Sequence, residues 1–215
     1  METRTIHSKV LIYTLLTVLA VLVVIPFFWM LLASVKTSNE VFSIPMKLFP
    51  KEFQWVNYQT IWDKIPLLTF FKNTFKIAVL TTLLQVFTSC FAAYGFSKVE
   101  FKGRDFLFLV SVTTFAVPWQ AYMVPQFALI SRMGLTDSHL GLILMQAFSG
   151  FGVFLIRQFM IVVPNELLEA ARIDGLSEYG IFAKVALPLV KPGIATLVIF
   201  TFVTIWNDFM GPLIY

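Results

Sequence analysis

Charge is scarce in this chain. Only 13% of its 215 residues are Asp, Glu, Lys or Arg, while 58% are hydrophobic. That balance excludes an ordinary soluble domain. There is one cysteine, Cys90, so no intrachain disulfide can form, and a single thiol makes no metal site. It lies inside an apolar run and reads as a small core residue. Histidine is nearly absent, with only His7 and His139, and there is no H-E-x-x-H. No G-x-x-x-x-G-K-[ST] loop occurs, so the chain lacks the usual means of holding ATP. No nucleophile–base pair suggests itself. The expectation is therefore a non-enzyme with no catalytic residue, no metal site and no cofactor. The net charge of +4 is spread over loops and helix ends and forms no patch, which argues against nucleic acid.

What the chain has instead is long uncharged runs. A helix needs ~20 mostly apolar residues to cross ~30 Å of hydrocarbon. Val10–Val35, Ile77–Ser97 and Phe106–Ser131 carry no charge. Ser138–Ile156 is a fourth run, with Arg157 at its far end, and Pro192–Asn207 is a fifth that continues past Asp208 to Tyr215. These predict an all-α membrane protein with five spanning helices. The first run is about twice the ~7–15 apolar residues of a cleaved signal, so it reads as a retained anchor.

Basic residues orient the spans. Arg4, Lys9, Lys98, Lys102, Arg104, Arg157, Arg172, Lys184 and Lys191 fall on one side. Lys36, Lys47, Lys51, Lys64, Lys72, Lys76 and Arg132 fall on the other. Three basic residues in Ser97–Asp105 outweigh one in Ser131–His139, and the charge rule works best for short loops. The N-terminus is accordingly expected in the cytoplasm. That puts Lys36–Thr69 outside, with Phe42, Phe49, Phe53, Trp55, Tyr58 and Trp62 among three prolines. Such aromatics suit the bilayer interface; a surface for an external binding protein is the other reading. Residues 1–68 are thus an anchor with an external segment, and 69–215 the helical core.

Polar residues interrupt that core. Pro118 predicts a kink in the third span. Gln85, Gln120, Gln126 and Gln146 need partners if buried, either as interhelical hydrogen bonds or along a solute path. Tyr122 lies in the same irregular stretch, Trp119–Tyr122. An intramembrane carboxylate such as Asp208 is costly and so a candidate for function. It sits in Trp206-Asn207-Asp208-Phe209, where an interfacial contact with a partner or loop is the alternative to pore lining. Gln85, Gln120, Tyr122, Gln146, Trp206, Asn207 and Asp208 form the candidate solute path or outer gate. Ser149, Gly150 and Gly152 are small enough for close helix approach.

Between the fourth and fifth runs lies a polar insert, 164–192. Asn165 is a candidate N-cap, and Glu166 and Glu169 fall in the first turn, where the helix dipole favours anions. Ala170 and Ala171 keep one side slim enough to enter a groove. Gly175 suits a left-handed C′ position, and Ser177 a second cap. Glu169, Arg172 and Asp174 offer charges to a partner, and Arg172 is also within i,i+3 reach of Glu169.

The segments RQFMIVVPNELLEAARIDG, KVALPLVKP and WNDF resemble the carbohydrate-type ABC importer permeases, of the maltose-transporter inner-subunit kind. MVPQF, SRMGLTDSHLGLIL and NTFKIA read similarly, while Val185 stands where isoleucine is usual. The resemblance implies a type I importer transmembrane domain in a prokaryotic inner membrane, forming part of a sugar translocation path. It implies six spanning helices, so that a chain presenting five is C-terminally incomplete. It further implies that Glu169, Ala170, Ala171, Arg172, Asp174 and Gly175 dock an ATPase made as a separate chain. The implied partners are a second permease, two ATPase subunits, an extracytoplasmic solute-binding protein and the lipid bilayer. A secondary transporter would call for inverted repeats and mid-membrane carboxylates, and only Asp208 is available. A membrane scaffold would not require the spacing in the insert.

Overall fold

The computed structural model describes residues 6–215, and of Ile6 and His7 the backbone alone. Arg4, counted above among the cytoplasmic charges, and the His7 side chain lie outside the described residues. The described regular structure is helical throughout, and the chain divides into two compact units, Met1–Leu68 and Thr69–Tyr215.

The first unit is dominated by α1 (Ile6–Ser34). It is apolar on every side, and none of its most hydrophobic window is covered by protein. A helix hydrophobic all round and uncovered by its own chain belongs in lipid. Its C-terminal carbonyls are taken up by Asn57, whose Nδ2 donates to Ser34 O and Lys36 O at 3.0 Å each. Lys36 is buried; its Nζ donates to Lys47 O at 2.6 Å and lies 4.2 Å from the Trp29 ring centroid. These bonds fold α2 (Ser38–Val41) and α3 (Val56–Lys64) back near the end of α1. Phe42, Phe49, Trp55 and Trp62 remain exposed.

The second unit opens with α4 (Leu67–Lys98), an unbroken 32-residue helix whose apolar window is 44% buried. It is continuous, whereas the later apolar runs of the unit are divided. The third run divides into α5 (Arg104–Ala116), a 3₁₀ turn at Trp119–Ala121, and α6 (Met123–Arg132). Pro118 sits at the break, as its missing donor requires. Pro125 falls in the first turn of α6, where proline is tolerated.

Two runs read as continuous in the sequence are divided here. Ser138–Ile156 becomes α7 (His139–Met145) and α8 (Gly150–Val162), bent by 50°. The cause is local: Ser149 Oγ accepts from Gly152 N at 3.0 Å and starts a new helix. The last run ends α12 (Lys191–Trp206) before Asp208 and resumes as α13 (Met210–Ile214). The insert is also more segmented than a helix–turn–helix. It comprises α9 (Asn165–Ile173), α10 (Glu178–Ile181), a π turn at Phe182–Ala186, and α11 (Leu187–Leu189), which meets α12 at 79°. Pro188 and Pro192 flank that corner.

The core of this unit is where the insert meets the spans. Cys90, Ala93 and Tyr94 of α4, Ile156 and Met160 of α8, and Leu168 and Ala171 of α9 form one buried cluster. Ile181, Phe182, Ala186 and Val190 complete it from the insert, with Leu197 from α12. Small residues bring the spans together. A Cβ on Gly152 would strike Ser89 Oγ, and one on Gly150 would lie 2.5 Å from Ser111 O. A Cβ on Gly95 would meet nothing within 4 Å. Gly152→Val should therefore destabilise the purified protein by about 1–3 kcal/mol through overpacking, seen as a lower thermal midpoint in detergent. Gly95→Ala should leave the midpoint unchanged or raise it; equal melting of the two variants would contradict this packing.

Candidate functional site

Two features stand out: an open-sided cavity among the broken helices, with amides and hydroxyls set in a largely apolar wall, and the insert at the other end of α4.

The cavity is roughly 830 Å³, within the ~300–1,000 Å³ range of small-molecule sites. Its amides come from Gln85, Gln120, Gln126 and Gln146, and its hydroxyls from Thr114, Tyr122, Ser149, Thr204 and Tyr215. Phe115, Trp119, Phe148 and Phe151 supply aromatic wall, and Asp208 the single carboxylate. No Lys, Arg or His lines it among the described residues.

The broken helices explain why these groups gather here. Each break frees backbone groups that need partners in an apolar setting. Gln85 Nε2 donates to Gln146 O at 2.9 Å, and Thr88 Oγ1 donates to Ala147 O at 2.7 Å, both at the α7–α8 bend. Gln126 Nε2 reaches Met145 O at 3.4 Å. Thr201 Oγ1 donates to Gln85 Oε1 at 2.6 Å, tying α12 to α4. Gln146 Nε2 donates to Asp208 Oδ2 at 3.0 Å, while Asp208 Oδ1 accepts from Gly211 N at 3.0 Å. Asp208 thus holds the restart of the helix at α13 and faces the cavity. Trp119 Nε1 and Tyr215 Oη both donate to Gln126 Oε1, each at 3.1 Å.

Of the seven candidate path residues, Gln85, Gln120, Tyr122, Gln146 and Asp208 are brought together around the cavity. Trp206 and Asn207 are not. Trp206 stacks on Phe202 with centroids 5.7 Å apart and meets Phe71 edge-on at 5.6 Å. Asn207 Nδ2 turns back to Val203 O at 2.7 Å. The two sit on the α12 side of the break, and only Asp208 beyond it turns inward. Gln126, named with the other amides but not among the seven, also lines the wall, and Trp119 and Tyr215 enter it without having been singled out; Trp119 had only its place directly after Pro118 as a signal.

The insert places its charges outward. Glu169, Ala170, Arg172, Asp174 and Gly175 are exposed. Ala171 is buried, contrary to its expected place on the slim outer side. At 100° per residue it shares a face with Leu168, and both pack into the core. The outer stripe gains Ile173 instead, 87% exposed. Asn165 is not the N-cap: Pro164 holds that position, and Asn165 Oδ1 accepts from Lys98 Nζ at 2.8 Å. Lys98 Nζ also donates to Val163 O at 2.6 Å, meeting a carbonyl left free where α8 ends.

The other end of α9 closes as its glycine foretold. Gly175 has φ of +84°. Leu176 N donates to Ala171 O at 3.1 Å and Gly175 N to Arg172 O at 3.1 Å, a Schellman closure. Ser177 Oγ then caps α10 by accepting from Gly180 N at 3.3 Å. Arg172 does not pair with Glu169; its Nε donates to Glu178 Oε1 at 2.7 Å, because the Schellman turn brings α10 against the last turn of α9. Tyr94 Oη donates to Glu178 Oε2 at 3.1 Å. The hydrogen bond from Arg172 holds the Glu178 carboxyl below its ordinary value, and Glu178 in turn raises Arg172. A depressed carboxyl contributes its link at pH values above the ordinary carboxylate range and loses it as pH falls through the lowered value. The link is therefore complete at neutral pH.

The comparisons with known proteins fit this geometry. Residues 85–215, which contain the cavity and the whole insert, match the model of the family described as binding-protein-dependent transport system inner membrane component. The chain is 34% identical to the arabinooligosaccharides transport system permease protein AraQ of Bacillus subtilis (strain 168), over 91% of this chain and 71% of that one. It is 33% identical to the sn-glycerol-3-phosphate transport system permease protein UgpE of Pectobacterium atrosepticum, over 89% of this chain and 70% of that one. Among solved structures, a chain of a bacterial ABC transporter involved in the import of the acidic polysaccharide alginate superposes with a TM-score of 0.83 at 24% identity. The match covers 97% of this chain and 74% of that one, and it bears on the fold. With more than half of its residues matched by the family model, and a helical membrane fold to go with them, this chain belongs to the family of binding-protein-dependent transport system inner membrane components.

Proposed function

We propose that this chain is the permease subunit of an ATP-driven importer for a carbohydrate. It forms one wall of the solute path and receives the motion of a separate ATPase through α9. The observation that carries this reading is α9 itself: a short helix with an exposed stripe of Glu166, Glu169, Ala170 and Ile173, buried on its other side into the core that joins the spans. A helix rigid against the spans and free on its outer face suits the role of a lever.

The five crossings proposed are α1, α4, the broken α5–α6, the bent α7–α8, and α12. The N-terminus is assigned to the cytoplasm. Support comes from the basic residues: Lys98 reaches Asn165, and Arg157 lies 3.7 Å from Asp105, so the loop after α4 and the insert share one end of the unit. That end collects Lys98, Lys102, Arg104, Arg157, Arg172, Lys184 and Lys191, as the positive-inside bias favours. The cavity wall of amides, hydroxyls and aromatic rings suits a polyhydroxylated solute. The names of the relatives, which transport arabinooligosaccharides and sn-glycerol-3-phosphate, agree with that class. The partners proposed are a second permease completing the path, a pair of ATPase subunits, and an external binding protein that delivers the solute.

Glu169→Lys should sharply reduce ATPase co-purification or uptake while the chain still inserts at normal levels. Normal co-purification with normal uptake would remove the docking role. Gly175→Val should cost more than an ordinary surface change, because a β-branched residue is strained at φ of +84°. Reduced uptake of the cognate sugar in a complemented deletion strain is the expected result, and wild-type uptake would contradict the Schellman geometry.

A further inference from the structure

The ends of α9 are both held by one neighbour. Tyr94 and Lys98 stand one turn apart on α4, at i and i+4, and so share a face. Lys98 Nζ grips the start of α9 through Asn165 Oδ1 at 2.8 Å and the Val163 carbonyl at 2.6 Å. Tyr94 grips its end through Glu178, which accepts from Tyr94 Oη at 3.1 Å and from Arg172 Nε at 2.7 Å. Between these straps, Leu168 and Ala171 are buried in one cluster with Ala93 and Tyr94.

From that last turn α4 runs back unbroken to the cavity. Nine residues, about 13.5 Å of helix, separate Tyr94 from Gln85. Gln85 lines the cavity, holds Thr201 of α12 at 2.6 Å, and donates to Gln146 O at 2.9 Å. Thr88 grips Ala147 O beside it at 2.7 Å. Gln146 and Ala147 are the bend between α7 and α8, and the Gln146 amide is what holds Asp208, at 3.0 Å.

We infer that α4 is the transmission rod of this subunit: Tyr94 and Lys98 clamp the coupling helix at both ends, and Gln85 and Thr88 deliver its displacement to the α7–α8 bend and the cavity. This rests on the reading of α9 as the ATPase contact. The competing route is α8, joined to α9 through the backbone at Val163 and Pro164. In the clamped arrangement α9 and α4 move as one body. If α8 alone carries the motion, the side-chain straps are dispensable. Tyr94 and Lys98 are positioning residues, since neither lines the cavity and neither lies on the exposed stripe of α9.

The test uses the complete assembly, with partner permease and ATPase, in lipid nanodiscs. Spin labels go on Leu83 of α4 and Ile173 of α9 in a Cys90→Ser background, and ATP with vanadate is the probe. In the otherwise unaltered assembly, trapping should change the mobility of the Ile173 label. The Leu83–Ile173 distance should stay constant within the ~1–2 Å of an ordinary helix shift. Tyr94→Phe combined with Lys98→Met should let that distance change beyond this on trapping. Lys98→Arg, which keeps a charged donor, should behave as the unaltered assembly. A pair distance that changes without the variants, or stays fixed with them, overturns the clamp while leaving docking intact. An Ile173 label indifferent to the presence of the ATPase removes the docking reading and the clamp with it.

Discussion

In hydrocarbon a carbonyl released from its helix has no water to turn to, and an unmet backbone group costs several kcal/mol. The apolar runs that follow α4 in the larger unit are divided or sharply bent, so carbonyls are freed at the interruptions and need donors. At the α7–α8 bend they come from neighbouring helices, Gln85 to Gln146 O, Thr88 to Ala147 O and Gln126 to Met145 O, and where α8 ends from Lys98 to Val163 O. Arg157 Nε meets Phe96 O in the same way, at 3.1 Å near the end of α4. At the α7–α8 bend the polar residues of an apolar chain are first of all the partners of broken backbone. Function is built from what those partners leave facing inward.

This accounts for the position of both sites. The cavity lies where the breaks after Ala116, Met145 and Trp206 come together, and two of its amides, Gln85 and Gln126, meet the carbonyls freed after Met145. The insert lies where α8 ends, with Lys98 repairing the freed carbonyl and holding the first residue of α9 in the same act. The 32-residue helix α4 runs unbroken between the two. A broken helix can change its angle at low cost, whereas a continuous one moves as a body.

The helical, apolar character of the chain, the polar insert, the break at Pro118 and the left-handed Gly175 were legible because each follows from one residue type or from composition. The end of α9 was legible because only glycine suits its conformation well. The bend between α7 and α8 was not, since Gln146 to Ser149 reads as a tolerable stretch of an apolar run, and the Ser149 cap matters only once the next helix departs. Ala171 looked like an outer residue because it follows Ala170; helical periodicity with Leu168 decides otherwise. The partner of Arg172 is a tertiary fact, set by the turn that brings Glu178 alongside. Tyr94 and Lys98 carried a faint signal in their i,i+4 spacing, but nothing local said what they hold. Asp208 was ambiguous between interface and cavity until the break before it turned its carboxylate inward.

The central claim is that α9 faces the cytoplasm and is covered there by another chain. Labelling Ile173→Cys, in a Cys90→Ser background, with a membrane-impermeant maleimide tests this directly. The account predicts no reaction in sealed right-side-out spheroplasts, rapid reaction in inverted vesicles stripped of the ATPase, and protection when the ATPase is restored. Reaction from the outside, or reaction from the inside that is indifferent to the ATPase, would contradict it.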